Sequence, residues 1–310
     1  MDGVLIIDKP AGMTSHDVVA RVRRIVGERR VGHTGTLDPF ATGVLIVLVG
    51  RATRLAQFLS RSVKEYEAVI RLGFNTDTGD LTGRPLTPVG EKTNSWSKAE
   101  IEEALGSLRG KIEQVPPMYS AKKLGGKKLY ELARRGEDVE RKAVSVTIHS
   151  FELAEEVDKI SAQSDGTTDI PVRVVCSAGT YVRTLAEDFG KRLGVGAHVA
   201  ALRRTKAGDF DLKRAITLEQ LEASMRQSGL GELLVPPDVA LEFLPYVSLD
   251  SIEMQRTQQG LPLKLASKGQ RGFDDAGWVR MRDEAGTLVA VGTYDLEADA
   301  VRPRVVLTLE

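Results

Sequence analysis

The sequence predicts an α+β fold in which helices flank a central mixed or antiparallel sheet and a small β domain follows. Strand and helix patterns are interspersed, without the strict β–α–β alternation of a doubly wound sheet. A proline-containing stretch at 230–245 precedes short strand patterns separated by Gly and Asp turns. The 310 residues suit one large and one small domain. We therefore predict a large domain over 1–240 and a small β domain over 245–310.

The elements of the first half follow the apolar pattern of the chain. A strand at 4–7 ends in a Pro-Ala-Gly turn, and apolar residues with helical spacing follow at 18–26. Residues 31–43 are rich in Gly, Thr and Pro, so we predict a loop that leads into a buried strand at 44–49. Alternating apolar and charged residues over 66–72 predict a half-buried strand.

The second half adds elements of both kinds. Ser97 and Glu100 form a capping box that predicts a helix over 97–108. Strand patterns lie at 144–151 and 172–176, and a helix with an apolar stripe is predicted over 181–193. A further capping box at 217–220 starts what we predict to be the last helix.

Composition excludes several classes of protein. The 43 Lys and Arg residues balance 43 Asp and Glu residues, so bulk positive charge cannot hold this chain to nucleic acid, although a local basic face still can. Cys176 is the single cysteine, which excludes an internal disulfide and argues against a cysteine zinc site. The histidines lack close metal-ligand spacing. We expect no metal or other cofactor, no signal peptide, no membrane span and a cytoplasmic protein.

The motif GHTGTLDPFATG at 32–43 is the sharpest chemical feature of the sequence. Its three glycines permit unusual backbone dihedrals, and Pro39 fixes the residue after Asp38. A carboxylate in such a loop, beside a buried strand, is held rigidly for contact with a ligand. An ordinary Asp-Pro turn would explain the same residues.

The motif resembles the catalytic motif of the TruB-type tRNA pseudouridine synthases, and five further blocks match that family in order. The blocks are GVLIIDKPAGMTSHDVV, KEYEAVIRLGFNTDTGD, VPPMYSAKKLGGKKLYELARRG, CSAGTYVRTLAEDFG and ALRRTKAGDF. The resemblance runs from about Gly3 to Phe210 and implies a pseudouridine synthase-like catalytic domain over 1–240. The implied reaction converts uridine 55 of the tRNA T-loop to pseudouridine by base flipping, without a metal or cofactor.

The resemblance implies a role for each matched residue of the active site. Asp38 corresponds to the single catalytic aspartate of the family. Arg183 corresponds to the arginine that orients this aspartate and keeps it ionised, since an opposing charge lowers the pKa of an acid. Tyr66 corresponds to the tyrosine that stacks on the target base. The other matched active-site residues are Lys9, Pro10, Leu202 and Tyr181.

Two of these residues also have ordinary structural roles. Arg183 and Glu187 are four residues apart on a predicted helix, where they would form a surface ion pair. Tyr66 shares its strand face with Ala68 and Ile70 and would therefore fill the core. A buried tyrosine ring can also present its edge to a pocket, so both roles are compatible for Tyr66.

The resemblance also implies contacts with RNA. His33 matches a histidine that helps to lift the target nucleotide from its stack, although a lone histidine is more often structural. Residues 118–142 match an RNA-binding thumb over the T-loop, in which lysines and arginines contact phosphates. Its predicted RNA-binding cations are Lys122, Lys123, Lys127, Lys128, Arg134 and Arg135. A solvated charged helix-loop would have the same composition.

The implied partner is tRNA, bound through its T-stem-loop, with no obligate protein partner and no membrane. The segment 245–310 loosely resembles a PUA-like RNA-binding domain, in which Arg302 and Arg304 would contact the acceptor stem. A small β appendage with ordinary surface charge explains these residues equally well.

Three other functions are compatible with parts of the sequence. A non-catalytic RNA-binding protein on this scaffold would be expected to lack Asp38, Tyr66 or Arg183, and all three are present. An aspartate-nucleophile hydrolase needs a partner base or metal cluster that the sequence does not show. The guide-RNA-dependent archaeal and eukaryotic branch of the family has long basic extensions, whereas the short tail of this chain fits the stand-alone bacterial branch.

Overall fold

A computed structural model describes residues 1–86, 96–120, 123–124, 127–129, 132, 135–137, 139–154, 160, 163–265 and 273–307. The strands in these residues are β1 Gly3–Lys9, β2 Val31–Thr34, β3 Thr42–Val49, β4 Lys64–Gly73, β5 Gly110–Gln114, β6 Lys123–Leu124, β7 Lys127–Lys128, β8 Val144–Leu153, β9 Thr168–Cys176, β10 Gly196–Ala207, β11 Phe210–Asp211, β12 Tyr246–Leu249, β13 Leu263–Lys264, β14 Trp278–Asp283, β15 Leu288–Asp295 and β16 Ala300–Val306. The α-helices are α1 Ser15–Val26, α2 Ala56–Leu59, α3 Lys98–Gly106, α4 Val182–Arg192, α5 Leu218–Gln227, α6 Pro237–Ala240 and α7 Ser251–Gln258.

The larger sheet has the strand order β1-β3-β10-β4-β9-β8-β5, with β2 paired to β3 and β11 paired to β10. The β3–β10 pair is parallel, and the other pairs are antiparallel. The predicted α+β fold with a central mixed sheet is therefore confirmed. The parallel pair joins Thr42 and Gly43 to Arg203 and Arg204, which brings the motif at 32–43 beside a strand more than 150 residues further along the chain.

The helix α1 forms where the apolar spacing predicts it. Thr14 caps its first turn in a capping box with Asp17, and Gly27 ends it in the left-handed conformation. Its apolar stripe, including Val18 and Val22, packs against β1 and β3. The anchored helix supports the loop that carries Asp38 from one side.

The strand β4 runs through the middle of the larger sheet. Its residues Tyr66, Ala68, Ile70 and Leu72 are buried on one face, as the alternating pattern predicts. The helix α4 packs against this face in the same apolar cluster. Tyr66 thus belongs to the core and also lies next to the helix that carries Arg183.

The smaller sheet has the order β12-β14-β15-β16-β13. Its Trp278 contacts Phe58 edge to face, with ring centroids 4.9 Å apart, so the small sheet packs on the segment that follows β3. The predicted domain division at 240–245 remains a proposal, since the two sheets share this apolar cluster.

The structure corrects two sequence predictions. Residues 31–43 are not entirely a loop, because β2 pairs its four residues with β3. The helix that begins after Thr217 is not the last, since α6 and α7 follow it. Only Thr257 of α7 is buried, which explains why apolar spacing gives no signal there. None of the described helices is long and apolar enough to cross a membrane.

Candidate active site

A cavity of about 260 Å³ lies between the 35–38 loop, β4, β10 and the start of α4. Five of the predicted active-site residues line this cavity: Asp38, Tyr66, Tyr181, Arg183 and Leu202. Larger clefts exist elsewhere on the surface, but neither contains Asp38. These five residues, which come from distant parts of the chain, therefore share one cavity.

The loop that carries Asp38 is tied to the N-terminal segment. Lys9 is fully buried, and its Nζ donates hydrogen bonds to the carbonyl oxygens of Pro10 (2.8 Å), Met13 (2.6 Å) and Pro39 (3.2 Å). Ser15 Oγ accepts from the Leu37 amide at 2.9 Å. Lys9 thus links the turn at Pro10 to Pro39, the residue after Asp38. This link anchors the loop that carries Asp38.

Gly43 allows β3 to approach β10 at the end of the motif. Its φ is +99°, and a Cβ at this position would lie 2.2 Å from the Arg204 carbonyl oxygen. Any larger residue would both strain the backbone and push the strands apart. The glycine of the motif therefore serves the close parallel pairing that positions the Asp38 loop.

Arg183 holds the Asp38 carboxylate through two contacts. Arg183 Nε lies 2.9 Å from Asp38 Oδ2, and Arg183 Nη2 donates to Asp38 Oδ1 at 3.1 Å. The arginine side chain is 5% exposed, whereas that of Asp38 is 31% exposed. Arg183 is therefore buried against Asp38 instead of forming a surface ion pair with Glu187. The carboxylate keeps one open side toward the cavity while its orientation is fixed.

Groups behind Arg183 hold the guanidinium in place. Its Nη1 donates to the Thr78 carbonyl oxygen at 2.8 Å, and its Nη2 donates to the Tyr119 carbonyl oxygen at 2.7 Å. Asp80 Oδ2 lies 3.7 Å from Nη1. Sequence reasoning missed Asp80, although it ends the family block KEYEAVIRLGFNTDTGD. The arginine is thus shared between two carboxylates of the described residues.

Burial shifts the pKa of both key side chains. Burial raises the pKa of the Asp38 carboxyl, and the Arg183 guanidinium opposes that increase. The expected lowering by Arg183 is present, but burial outweighs it. Burial also raises the pKa of the Tyr66 hydroxyl, and the adjacent Arg204 guanidinium acts in the opposite direction. Tyr66 consequently remains a neutral phenol near neutral pH.

Tyr181 and Leu202 complete the cavity wall. Tyr181 precedes α4. Its backbone N–H donates to Gln114 Oε1 at 3.0 Å, and its carbonyl oxygen accepts from Gln114 Nε2 at 3.3 Å. Leu202 is 8% exposed on β10. Pro10 is exposed at the turn held by Lys9 and does not line the cavity. Lys9 and Pro10 therefore lie outside the cavity wall.

His33 lies on β2, outside the cavity. Its ring meets that of His16 edge to face at 5.3 Å, and burial lowers its pKa to about 4. Among the described residues its Nδ1 is buried and has no hydrogen-bond partner. The His33 ring is therefore neutral near neutral pH.

The predicted thumb is described only in part. Lys123 and Lys128 are partners in the register of β6 and β7, which also contains Lys127. Arg135 is exposed. Lys122 and Arg134 lie outside the described residues. In the small sheet, Arg302 pairs with Asp295 and Arg304 donates to the hydroxyl of Thr293, so both arginines have structural partners on the surface.

Sequence reasoning also missed two cations of the cavity. Lys64 begins β4 and Arg204 lies on β10; both line the cavity and both are buried. The alternation that made Tyr66 visible includes Lys64 on the same face. The block ALRRTKAGDF contains Arg204, but nothing in the sequence distinguishes it from its neighbour Arg203.

Two solved structures share the fold of this chain over almost its whole length. The structure of an H/ACA RNP bound to a substrate RNA containing 2′-deoxyuridine matches with a TM-score of 0.73 and 26% identity, over 99% of this chain and 85% of that chain. A Cbf5-Nop10-Gar1 complex matches with a TM-score of 0.71 and 28% identity, over 99% of this chain and 84% of that chain. The fold is therefore that of the Cbf5- and TruB-type pseudouridine synthases.

Family models and curated relatives define the family more narrowly. Residues 23–182 match the N-terminal domain of the TruB family of pseudouridylate synthases, and residues 183–242 match the tRNA pseudouridylate synthase B C-terminal domain. The tRNA pseudouridine synthase B of Geobacillus thermodenitrificans is 46% identical over 265 residues, 86% of each chain. That of Bacillus cytotoxicus is 43% identical over 273 residues, 88% of each chain. The chain belongs to the TruB family of pseudouridine synthases.

Proposed function

We propose that this enzyme converts uridine 55 in the T-loop of tRNA to pseudouridine, with Asp38 as the catalytic carboxylate. The observation that carries the proposal is the Asp38–Arg183 pair, whose carboxylate is oriented by two contacts and opens into a cavity. The relatives named tRNA pseudouridine synthase B support tRNA as the substrate. The T-loop position follows from the resemblance of the motif blocks.

The reaction exchanges bonds without a net change of oxidation state. The C1′–N1 bond breaks, a C1′–C5 bond forms, C5 loses a proton and N1 gains one. A carboxylate can start this reaction by attack at C1′, by addition to the base, or by removal of a proton from C2′. Arg183 serves each of these routes, because it fixes the direction of the Asp38 oxygen atoms.

The remaining groups bind and position the flipped nucleotide. A uridine inside a folded loop must leave its stack before C1′ and C5 become accessible. Tyr66 lies in the cavity wall as a neutral ring that can stack on the uracil, and Leu202 supplies apolar contact. His33 outside the cavity is suited to stacking on the RNA. The lysines at 123, 127 and 128 supply cations for phosphates.

We also propose that the enzyme acts in the cytoplasm without a protein partner or a cofactor. The purified chain should therefore release tritium from unmodified tRNA that carries the label at C5 of its uridines, with one equivalent released per tRNA. The release should persist in EDTA. A tRNA with cytidine at position 55 is the matched control. Absence of release from the first tRNA would contradict the function, and equal release from the control would contradict the site.

A further inference from the structure

Two buried cations line the cavity without a carboxylate partner. Lys64 is 6% exposed and Arg204 is 1% exposed, and both line the same cavity as Asp38. No carboxylate in the described part of the chain lies within salt-bridge distance of either cation. Arg183, by contrast, is paired with Asp38 and lies near Asp80. The cavity therefore holds two positive charges that the surrounding described protein does not balance.

Backbone carbonyl groups hold these cations in place. Lys64 Nζ donates to the carbonyl oxygens of Ser60 and Ser62. Arg204 Nε donates to the Val44 carbonyl oxygen at 2.7 Å, and its Nη2 donates to the Gly35 carbonyl oxygen at 2.8 Å. These bonds satisfy donors but leave the net charge uncancelled. Burial of an unbalanced charge is costly, so the arrangement fits a site that receives negative charge during its work.

The proposed reaction generates such a charge on the base. When C1′–N1 breaks, the electron pair stays with N1 and spreads over the uracil oxygen atoms. If a carboxylate instead adds to C6 of the base, its electron pair forms the new C6–O bond, and the C5=C6 π pair moves onto C5 and O4 as an enolate. The uracil is thus anionic in each of the three possible routes. Fixed positive groups beside developing negative charge are a strong source of catalysis in a site that excludes water.

We propose that Arg204 and Lys64 stabilise the negative charge that develops on the target uracil when its glycosidic bond is rearranged. This inference rests on the proposed function. Arg204 lies beside the Tyr66 hydroxyl, so a uracil stacked on Tyr66 lies next to the guanidinium. Both cations are buried rather than at the exposed rim, which favours the base over a phosphate of the RNA backbone as the group they face.

The charge of Lys64 depends on pH in an accessible range. Burial and, to a lesser extent, the neighbouring Arg204 lower the pKa of Lys64 to about 8, while Cys176 on β9 acts in the opposite direction. Tyr66, on the same strand, remains neutral in this range. Rising pH therefore removes the positive charge of Lys64 and should slow the chemical step. Burial also lowers the pKa of Lys9 to about 8. A Lys64 variant is therefore needed to show which lysine causes the pH dependence of the rate.

The test compares Lys64→Met and Lys64→Arg with the unchanged enzyme in single-turnover assays on tRNA. Lys64→Met should slow the chemical step by about tenfold to a thousandfold while tRNA affinity changes less than about twofold. Lys64→Arg should retain activity, and its rate should no longer fall above pH 8. The exposed Lys206, changed to Met, is the matched control. Circular dichroism and thermal melting verify that each variant is folded.

A second substrate tests whether the charge that Lys64 stabilises is on the base. In tRNA that contains 5-fluorouridine the base carries negative charge more readily, so the deficit of Lys64→Met in substrate consumption should shrink. Weaker tRNA binding with an unchanged chemical rate would overturn the proposal and identify a phosphate contact instead. An unchanged rate in Lys64→Met would also overturn it. If the unchanged enzyme releases no label from tRNA, the proposed function itself fails, which is a distinct result.

Discussion

Arg183 meets Asp38 side-on, with Nε 2.9 Å from Oδ2 and Nη2 3.1 Å from Oδ1. The two residues are 145 positions apart in the sequence, and the fold brings them together through the core of the larger sheet. The arginine is buried while the carboxylate remains partly open to the cavity. The pair therefore combines a fixed orientation with access for a substrate.

Replacing Arg183 with Lys should slow catalysis more than it weakens binding. A lysine ammonium keeps the charge but cannot contact both oxygen atoms of Asp38 and the Thr78 and Tyr119 carbonyl oxygens together. We expect a loss of about 100-fold in the single-turnover rate with little change in tRNA affinity. Arg192→Lys, at the exposed end of the same helix, should behave like the unchanged enzyme. A similar loss in both variants would contradict the assigned role.

Replacing Gly43 with Ala should destabilise the fold and displace the Asp38 loop. The new Cβ would lie 2.2 Å from the Arg204 carbonyl oxygen. Gly27→Ala is a matched control, since Gly27 also has a positive φ but nothing within 4 Å of a Cβ. Urea unfolding should show a loss of about 1 kcal/mol for Gly27→Ala and about 2 kcal/mol more for Gly43→Ala. Equal losses would mean that the close strand approach is unimportant.

His33 should titrate far below an ordinary histidine. Burial lowers its pKa to about 4, and an unfolded histidine has a pKa of about 6.5. Protons therefore bind more readily to the unfolded chain between these values, so the free energy of unfolding should fall as pH decreases from 6.5 to 4. In His33→Gln, this part of the pH dependence of the free energy of unfolding should be absent. A nuclear magnetic resonance titration measures the midpoint directly, and a midpoint near 6.5 would contradict the account.

The lysines of β6 and β7 should contribute to RNA affinity through charge. Changing Lys123, Lys127 and Lys128 to Gln should weaken tRNA binding and reduce its dependence on salt, by roughly 0.7 to 0.9 in logarithmic slope for each phosphate that is no longer neutralised. A matched triple change of exposed lysines elsewhere, at positions 98, 191 and 213, should leave the slope unchanged. Equal slopes for the two triple variants would refute the proposed thumb.

Local sequence patterns predicted the helices and strands with strong periodicity. The capping box at Thr14 and the alternation over 66–72 both correspond to elements of the fold. The short strand β2 escaped notice, because Gly32 and His33 carry no strand signal and its formation depends on pairing with β3. The helix α7 was missed for a related reason, since it buries little of its surface.

The candidate site was predictable only where the family blocks supplied it. Composition and spacing alone favoured an ordinary turn for Asp38 and a surface ion pair for Arg183. The roles of Lys64, Arg204 and Asp80 depend on burial and on contacts between distant strands, which sequence patterns do not reveal. The effect of burial on the Asp38 pKa likewise requires the folded structure, because the arginine alone would lower that pKa.

The most direct test of the catalytic role of Asp38 is tritium release by Asp38→Asn. The amide preserves the size of the side chain but removes its charge and its ability to act as a nucleophile or base. We predict no release from the T-loop uridine, with tRNA binding and thermal stability retained, while the exposed-site control Asp209→Asn remains fully active. Release by Asp38→Asn at the rate of the unchanged enzyme would contradict the central claim.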